Sequence, residues 1–91
     1  MIRYQVESIN HNNQNVELDL KTDGQCSSLT LNLLAGGMKG ENLEKLTEGD
    51  SLWIDIGEDR ECLKENNASK IKRIYIQRQC YENLMFLLYE R

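Results

Sequence analysis

Apolar residues fall at every second position in one short segment after another. Ile2, Tyr4 and Val6 alternate with Arg3, Gln5 and Glu7, and Val16, Leu18 and Leu20 alternate with Glu17, Asp19 and Lys21. Leu29, Leu31 and Leu33 then frame Thr30 and Asn32, while Leu52, Ile54 and Ile56 alternate with Ser51, Trp53 and Asp55. A period of two marks a strand with one buried and one wet face. The segments between are turn-forming: Asn10-His11-Asn12-Asn13-Gln14-Asn15 tolerates left-handed backbone, and Asp23-Gly24 is a strong hairpin signal. Consecutive strands joined this way are antiparallel.

Ile71, Ile74 and Ile76 mark a fifth strand, and the three-residue step from Ile71 to Ile74 implies a bulge or a start at Lys72. Gly36, Gly37 and Gly40 mark a corner that needs positive φ or close approach, and residues 41–47 have room for one or two helical turns. Residues 58–68, polar apart from Cys62, Leu63 and Ala68 and carrying Asn66-Asn67, read as a mobile loop or hairpin tip. From Gln79 the period changes: Cys80, Leu84, Leu87 and Leu88 fall at helical spacing, which predicts a helix over 79–90. Leu84-Met85-Phe86-Leu87-Leu88 would make it apolar nearly all round, and such a helix needs two neighbours. One is its own sheet, whose open end it plugs; the other is a partner protein or a second copy, giving a homodimer through this helix.

Short antiparallel strands leave unpaired edges unless the sheet closes. The expected fold is therefore all-β: a small antiparallel five- to six-stranded barrel over residues 1–77 with a C-terminal α-helix over 79–90, in one domain spanning 1–91. The 91 residues contain no proline, so turns fall to Gly, Asn and Asp. With 29% charged residues and only short apolar runs, neither a membrane span nor a disordered chain fits.

The net charge of −4 excludes a surface committed throughout to phosphates. It is unevenly spread: residues 1–59 hold four basic residues against eleven carboxylates, and residues 60–91 hold seven against four. An acidic body with a basic last third favours oriented docking on a partner. Cys26, Cys62 and Cys80 are odd in number, widely spaced and lack a C-x-x-C pair, so reduced thiols are expected and no zinc site is signalled. Met1-Ile2-Arg3-Tyr4-Gln5 shows no apolar leader, which points to the cytoplasm.

Val16-Glu17-Leu18-Asp19-Leu20, Asp23-Gly24, Leu31-Asn32-Leu33-Leu34-Ala35-Gly36-Gly37-Met38 and Leu46-Thr47-Glu48-Gly49-Asp50-Ser51-Leu52-Trp53-Ile54 together resemble a PilZ domain over residues 16–56. The resemblance implies a bacterial barrel followed by a helix, with cyclic di-GMP as ligand. The ligand motif, Asn/Asp-x-Ser-x-x-Gly, carries over as Asn32 and Gly37, with Gly36 beside it. Leu34 stands at the serine position. Of the upstream Arg-x-x-x-Arg only Arg3 is present, with Glu7 in the second place. Without two guanidinium groups to grip phosphate and stack on guanine, the resemblance implies a degenerate member that acts as an adaptor on other proteins and does not bind cyclic di-GMP in the usual way.

No catalytic constellation stands out, and His11 reads as an exposed loop residue. No metal or other cofactor is expected. Trp53, on the polar face of its strand, is the kind of rigid anchor that interfaces use. Arg73 and Tyr75, with Lys70, Lys72 and Arg78 nearby, imitate the basic, aromatic face of single-strand-binding barrels. Leu84, Phe86 and Leu87 are candidate contacts on the terminal helix. The carboxylates Glu41, Glu44, Glu48, Asp50, Asp55, Glu58 and Asp59 would allow charge mimicry of nucleic acid. The leading reading is a small non-enzymatic binding or regulatory module of bacterial or phage origin, a PilZ-like adaptor contacting another protein. The alternatives are an acidic inhibitor of a nucleic-acid-binding enzyme, an OB-like single-strand binder, and a true cyclic di-GMP receptor.

Overall fold

The computed structural model describes residues 1–58, 60–79 and 84–91. Its strands are β1 (Ile2–His11), β2 (Asn15–Lys21), β3 (Leu29–Leu34), β4 (Ser51–Asp55), β5 (Arg73–Gln77) and β6 (Met85–Glu90), with one helical turn, α1 (Gly40–Leu43). Every pairing is antiparallel, and the sheet runs β3-β2-β1-β4-β5-β6. The alternation along β1 to β5 is realised as expected. Tyr4, Val6, Leu18, Leu20, Leu31, Leu52, Ile54, Ile74 and Ile76 form one face of a single buried cluster.

Two bulges shape the sheet. In β1, Val6 faces Leu20 and Ser8 faces Asp19, leaving Glu7 extra, so the inward set moves from Val6 to Ile9. In β6, Tyr89 faces Ile74 while Leu87 faces Tyr75. Leu88 is therefore the extra residue, and both Leu88 and Tyr89 are buried. A bulge places consecutive residues on one side and increases local twist.

The expected C-terminal helix is corrected: residues 85–90 are strand β6, paired with β5 along its length. The bulge explains the misleading pattern, because two adjacent buried residues break the period of two and imitate helical spacing. The part of that helix at 80–83 lies outside the described residues. A homodimer through a terminal helix loses its structural basis here, although Leu84, Met85 and Phe86 remain exposed at the start of β6.

The expected closed barrel is also corrected. β3 and β6 are the two sheet edges and share no ladder. β3 ends in a 3-10 turn at Ala35–Gly37, and the chain then crosses to β6, meeting it through a single Met38–Tyr89 bridge and the Lys39 N–H donated to the Leu88 carbonyl at 2.7 Å. This crossing covers residues 87–89 of the β6 edge, with Asn42 Nδ2 donating to the Leu87 carbonyl at 2.6 Å. Gly37 lies under the Tyr89 ring, where a Cβ would stand 2.4 Å from a ring carbon. Of the corner glycines only Gly37 serves close approach, Gly36 and Gly40 having open space around them; the positive-φ glycines are Gly24, Gly49 and Gly57.

Leu46, Leu63 and Ile71, which lie outside the strands, are buried in the same core cluster. Residues 60–70 are consequently not a free loop. They form a 3-10 segment at Glu65–Lys70, whose buried Asn67 accepts from the Lys64 N–H at 2.7 Å and donates to the Cys62 carbonyl at 3.0 Å. The expectation of reduced thiols is corrected for Cys26 and Cys62, which are disulfide-bonded, while Cys80 lies outside the described residues. The fold brings the β2–β3 loop beside the segment after β4, leaving the two Cα atoms 5.7 Å apart. A sequence separation of 36 gave that pairing no local signature. Among the described residues no helix is long and apolar enough to cross a membrane.

Candidate functional site

Because Tyr4, Leu52, Ile54, Ile74 and Ile76 point inward, their neighbours in sequence make up the outer face. Register then fixes which outer residues stand side by side. Arg3 is opposite Trp53, Trp53 opposite Tyr75, and Tyr75 opposite Leu87, giving one row across β1, β4, β5 and β6. Four positions nominated on separate grounds in the sequence thus share a line. Trp53, Tyr75 and Leu87 are each half-buried, and the Trp53 Nε1–H donates to Gln77 Oε1 at 2.9 Å, which holds the indole toward β5. Cross-strand aromatic pairs of this kind are rigid and expose amphipathic surface.

Arg73 stands in the next row, between Asp55 and Glu90. Its Nε donates to Glu90 Oε2 at 2.9 Å. That bond holds the Glu90 carboxyl below the usual carboxylate range and the Arg73 guanidinium above its own. Arg73 is therefore engaged by Glu90 while flanking the aromatic pair. Leu84 and Phe86 are exposed where β6 begins, beside Met85.

The row on the other side is polar: Lys21 faces Gln5, Gln5 faces Ser51, and Ser51 faces Gln77. Its last strand leads to Arg78, whose Nε is 3.8 Å from Asp50 Oδ2. Asp50 is buried, and its carboxylate accepts from the Thr47 N–H at 2.9 Å, the Thr47 hydroxyl at 3.2 Å and the Gln79 N–H at 3.3 Å. Asp50 is thus part of the framework, not of an acidic surface. Sequence reasoning passed over Lys21, Gln5, Gln79 and the Asp50–Arg78 pair, because only register and the Gly49 turn bring them together.

The residues carried over from the PilZ resemblance are not assembled into one place. Asn32 is exposed on β3 opposite Glu17, which itself faces Asn10 at the far end of β1 from Arg3. Seven residues of strand separate Arg3 from Asn10, roughly 20 Å. Gly36 and Gly37 lie in the turn after β3, against Tyr89.

Elsewhere on the outer face, Asp19 accepts from the Ser8 hydroxyl at 2.5 Å and the Thr30 hydroxyl at 2.6 Å. These bonds lower its carboxyl below the ordinary range. His11 is exposed at the end of β1, and among the described residues no three His, Cys, Asp or Glu side chains are grouped to hold a metal ion. Comparison with family models, curated proteins and solved structures returns no match.

Proposed function

We propose that the chain is a non-enzymatic binding module that works through protein–protein contacts, in the manner of a degenerate PilZ-like adaptor, with the β1-β4-β5-β6 outer face as its interface. The row Arg3, Trp53, Tyr75 and Leu87 is the observation that supports this reading. Aromatic and arginine side chains are the groups that dominate interface energetics, and here they are contiguous on a rigid sheet. Met85, exposed and opposite Gln77, continues this outer face, whereas the exposed Phe86 stands opposite the inward Ile76 and lies on the other side of the sheet.

A second reading, a single-stranded nucleic-acid binder, draws on the same Trp53–Tyr75 pair with Arg3 and Arg73 beside it, since bases stack on aromatic platforms in cationic grooves. The Glu90 and Asp55 carboxylates around Arg73 weaken that reading. Cytoplasmic residence, expected from the N-terminal residues, competes with the Cys26–Cys62 bond, because disulfides persist in oxidising surroundings.

The test is site-specific photo-crosslinking in the native host from a reactive group at position 75, with position 13 as control. A discrete protein adduct from position 75, absent from position 13 and lost in Trp53→Ala, is the expected result. Equal labelling from both positions, or a nucleic-acid adduct alone, contradicts the adaptor reading.

A further inference from the structure

Between the Lys21 and Arg78 ends of the polar row lies an open basin of about 670 Å³, lined among others by Arg3, Gln5, Lys21, Ser51, Arg78 and Gln79. We propose that this basin is a binding site for a small ligand bearing a diphosphate or two comparably spaced phosphates, adjoining the aromatic row and sharing Arg3 with it.

Charge placement carries the argument. Three cations face one space: Arg3 and Lys21 from the β1–β2 side, and Arg78 from the end of β5. Their carboxylate partners hold them loosely. Asp23 meets Arg3 at 3.2 Å, but its side chain is 91% exposed. Glu7 is 3.9 Å from Lys21, with both side chains about half exposed. Exposed pairs of this kind contribute little and yield readily to a better anion.

Arg78 is the preorganised member. Asp50 lies buried against it and fixes its position by charge, yet Asp50 spends its oxygens on Thr47 and Gln79, and the buried Arg78 Nε has no hydrogen-bond partner. The buried Nε edge faces Asp50, so the terminal nitrogens of this partly exposed side chain are the ones left for a ligand. A planar guanidinium so placed suits two-point bonding to phosphate oxygens.

Size sets the ligand class. β2 and β5 are three strand spacings apart, about 14 Å, and long side chains reach inward from both. The basin volume of about 670 Å³ exceeds what one phosphate fills and has room for two linked ones. Gln5, Ser51 and Gln79 supply polar groups along the floor and rim. Gly49, with φ at +94°, lets the Gln79 side chain lie across the turn where a Cβ would collide.

Titration of the full chain with sodium pyrophosphate at low salt, followed by amide chemical shifts and calorimetry, tests the proposal. Saturable binding is expected, with shifts centred on residues 3–5, 21 and 78–79, and about tenfold weaker affinity in Lys21→Gln and in Arg78→Gln. Arg78→Gln leaves Asp50 without its ion pair and is checked for folding by thermal unfolding. Lys21→Gln alters only an exposed side chain and keeps the test decisive if the other variant unfolds. Orthophosphate is expected to bind more weakly than pyrophosphate. Absence of saturation, affinity unchanged in both variants, or binding of oligothymidylate without pyrophosphate binding overturns the proposal.

Discussion

The hydroxyl of Tyr4, on the first strand, accepts the backbone N–H of Leu63 at 2.7 Å, and both residues are buried. With the neighbouring Cys26–Cys62 disulfide, that bond fastens the segment after β4 to the sheet. Tyr4→Phe keeps the ring and removes the acceptor, leaving a buried N–H unsatisfied. Such a loss costs about 1–3 kcal/mol. Denaturant titration of the variant is expected to show a lowered midpoint, with hydrogen exchange accelerated at residues 63–71 before the rest of the sheet.

Gly37 and Tyr89 form a second fastening. A methyl group at position 37 would sit 2.4 Å from the Tyr89 ring, so the ring or the turn must move. Gly37→Ala is expected to destabilise the fold by about 1–3 kcal/mol, the range for overpacking a filled site. The double variant with Tyr89→Ala should lose most of that added penalty, which thermal unfolding of the four proteins in the cycle measures.

The Cys26–Cys62 bond joins chain positions 36 apart. Closing a loop of that length restricts the unfolded chain by about 3–4 kcal/mol in the chain-entropy account. Adding reductant, or replacing both residues by Ser, is expected to lower the unfolding midpoint accordingly. An unchanged midpoint under full reduction would show that the bond adds nothing to stability.

Stability should fall at both ends of the pH range, for different groups. Hydrogen bonds from Ser8 and Thr30 hold the Asp19 carboxyl below its ordinary value, and the bond from Arg73 does the same for Glu90. Their contribution is present above about pH 4 and is lost as pH falls through the lowered values. Burial pushes the Tyr4 hydroxyl up, with the Leu63 bond opposing in part. That contribution is full below about pH 10 and is lost as pH rises through the raised value. Thermal midpoints across pH are expected to show both declines, with a shallower acid limb in Asp19→Asn.

The strands β1 to β5 were legible because each has one buried face, so the period of two survives in the sequence even where long connections separate them. β6 was not legible: its bulge buries Leu88 and Tyr89 together, and Leu84, Met85 and Phe86 are apolar although exposed. Closure was misjudged because the seam between β3 and β6 is filled by the Met38–Asn42 crossing, a tertiary contact with no local pattern. The individual members of the aromatic row could be nominated from residue type. Their alignment depended on register across four strands, including the strand that had read as helix.

That alignment is the centre of the account, since Leu87 joins Tyr75 and Trp53 only if residues 85–90 pair with β5. Proton–proton contacts in solution measure it directly. The account predicts cross-strand contacts between Tyr75 and Leu87 and between Gln77 and Met85, with extended couplings along 85–90. Contacts three and four residues apart within 84–88, and none to β5, would mean a terminal helix and would contradict it.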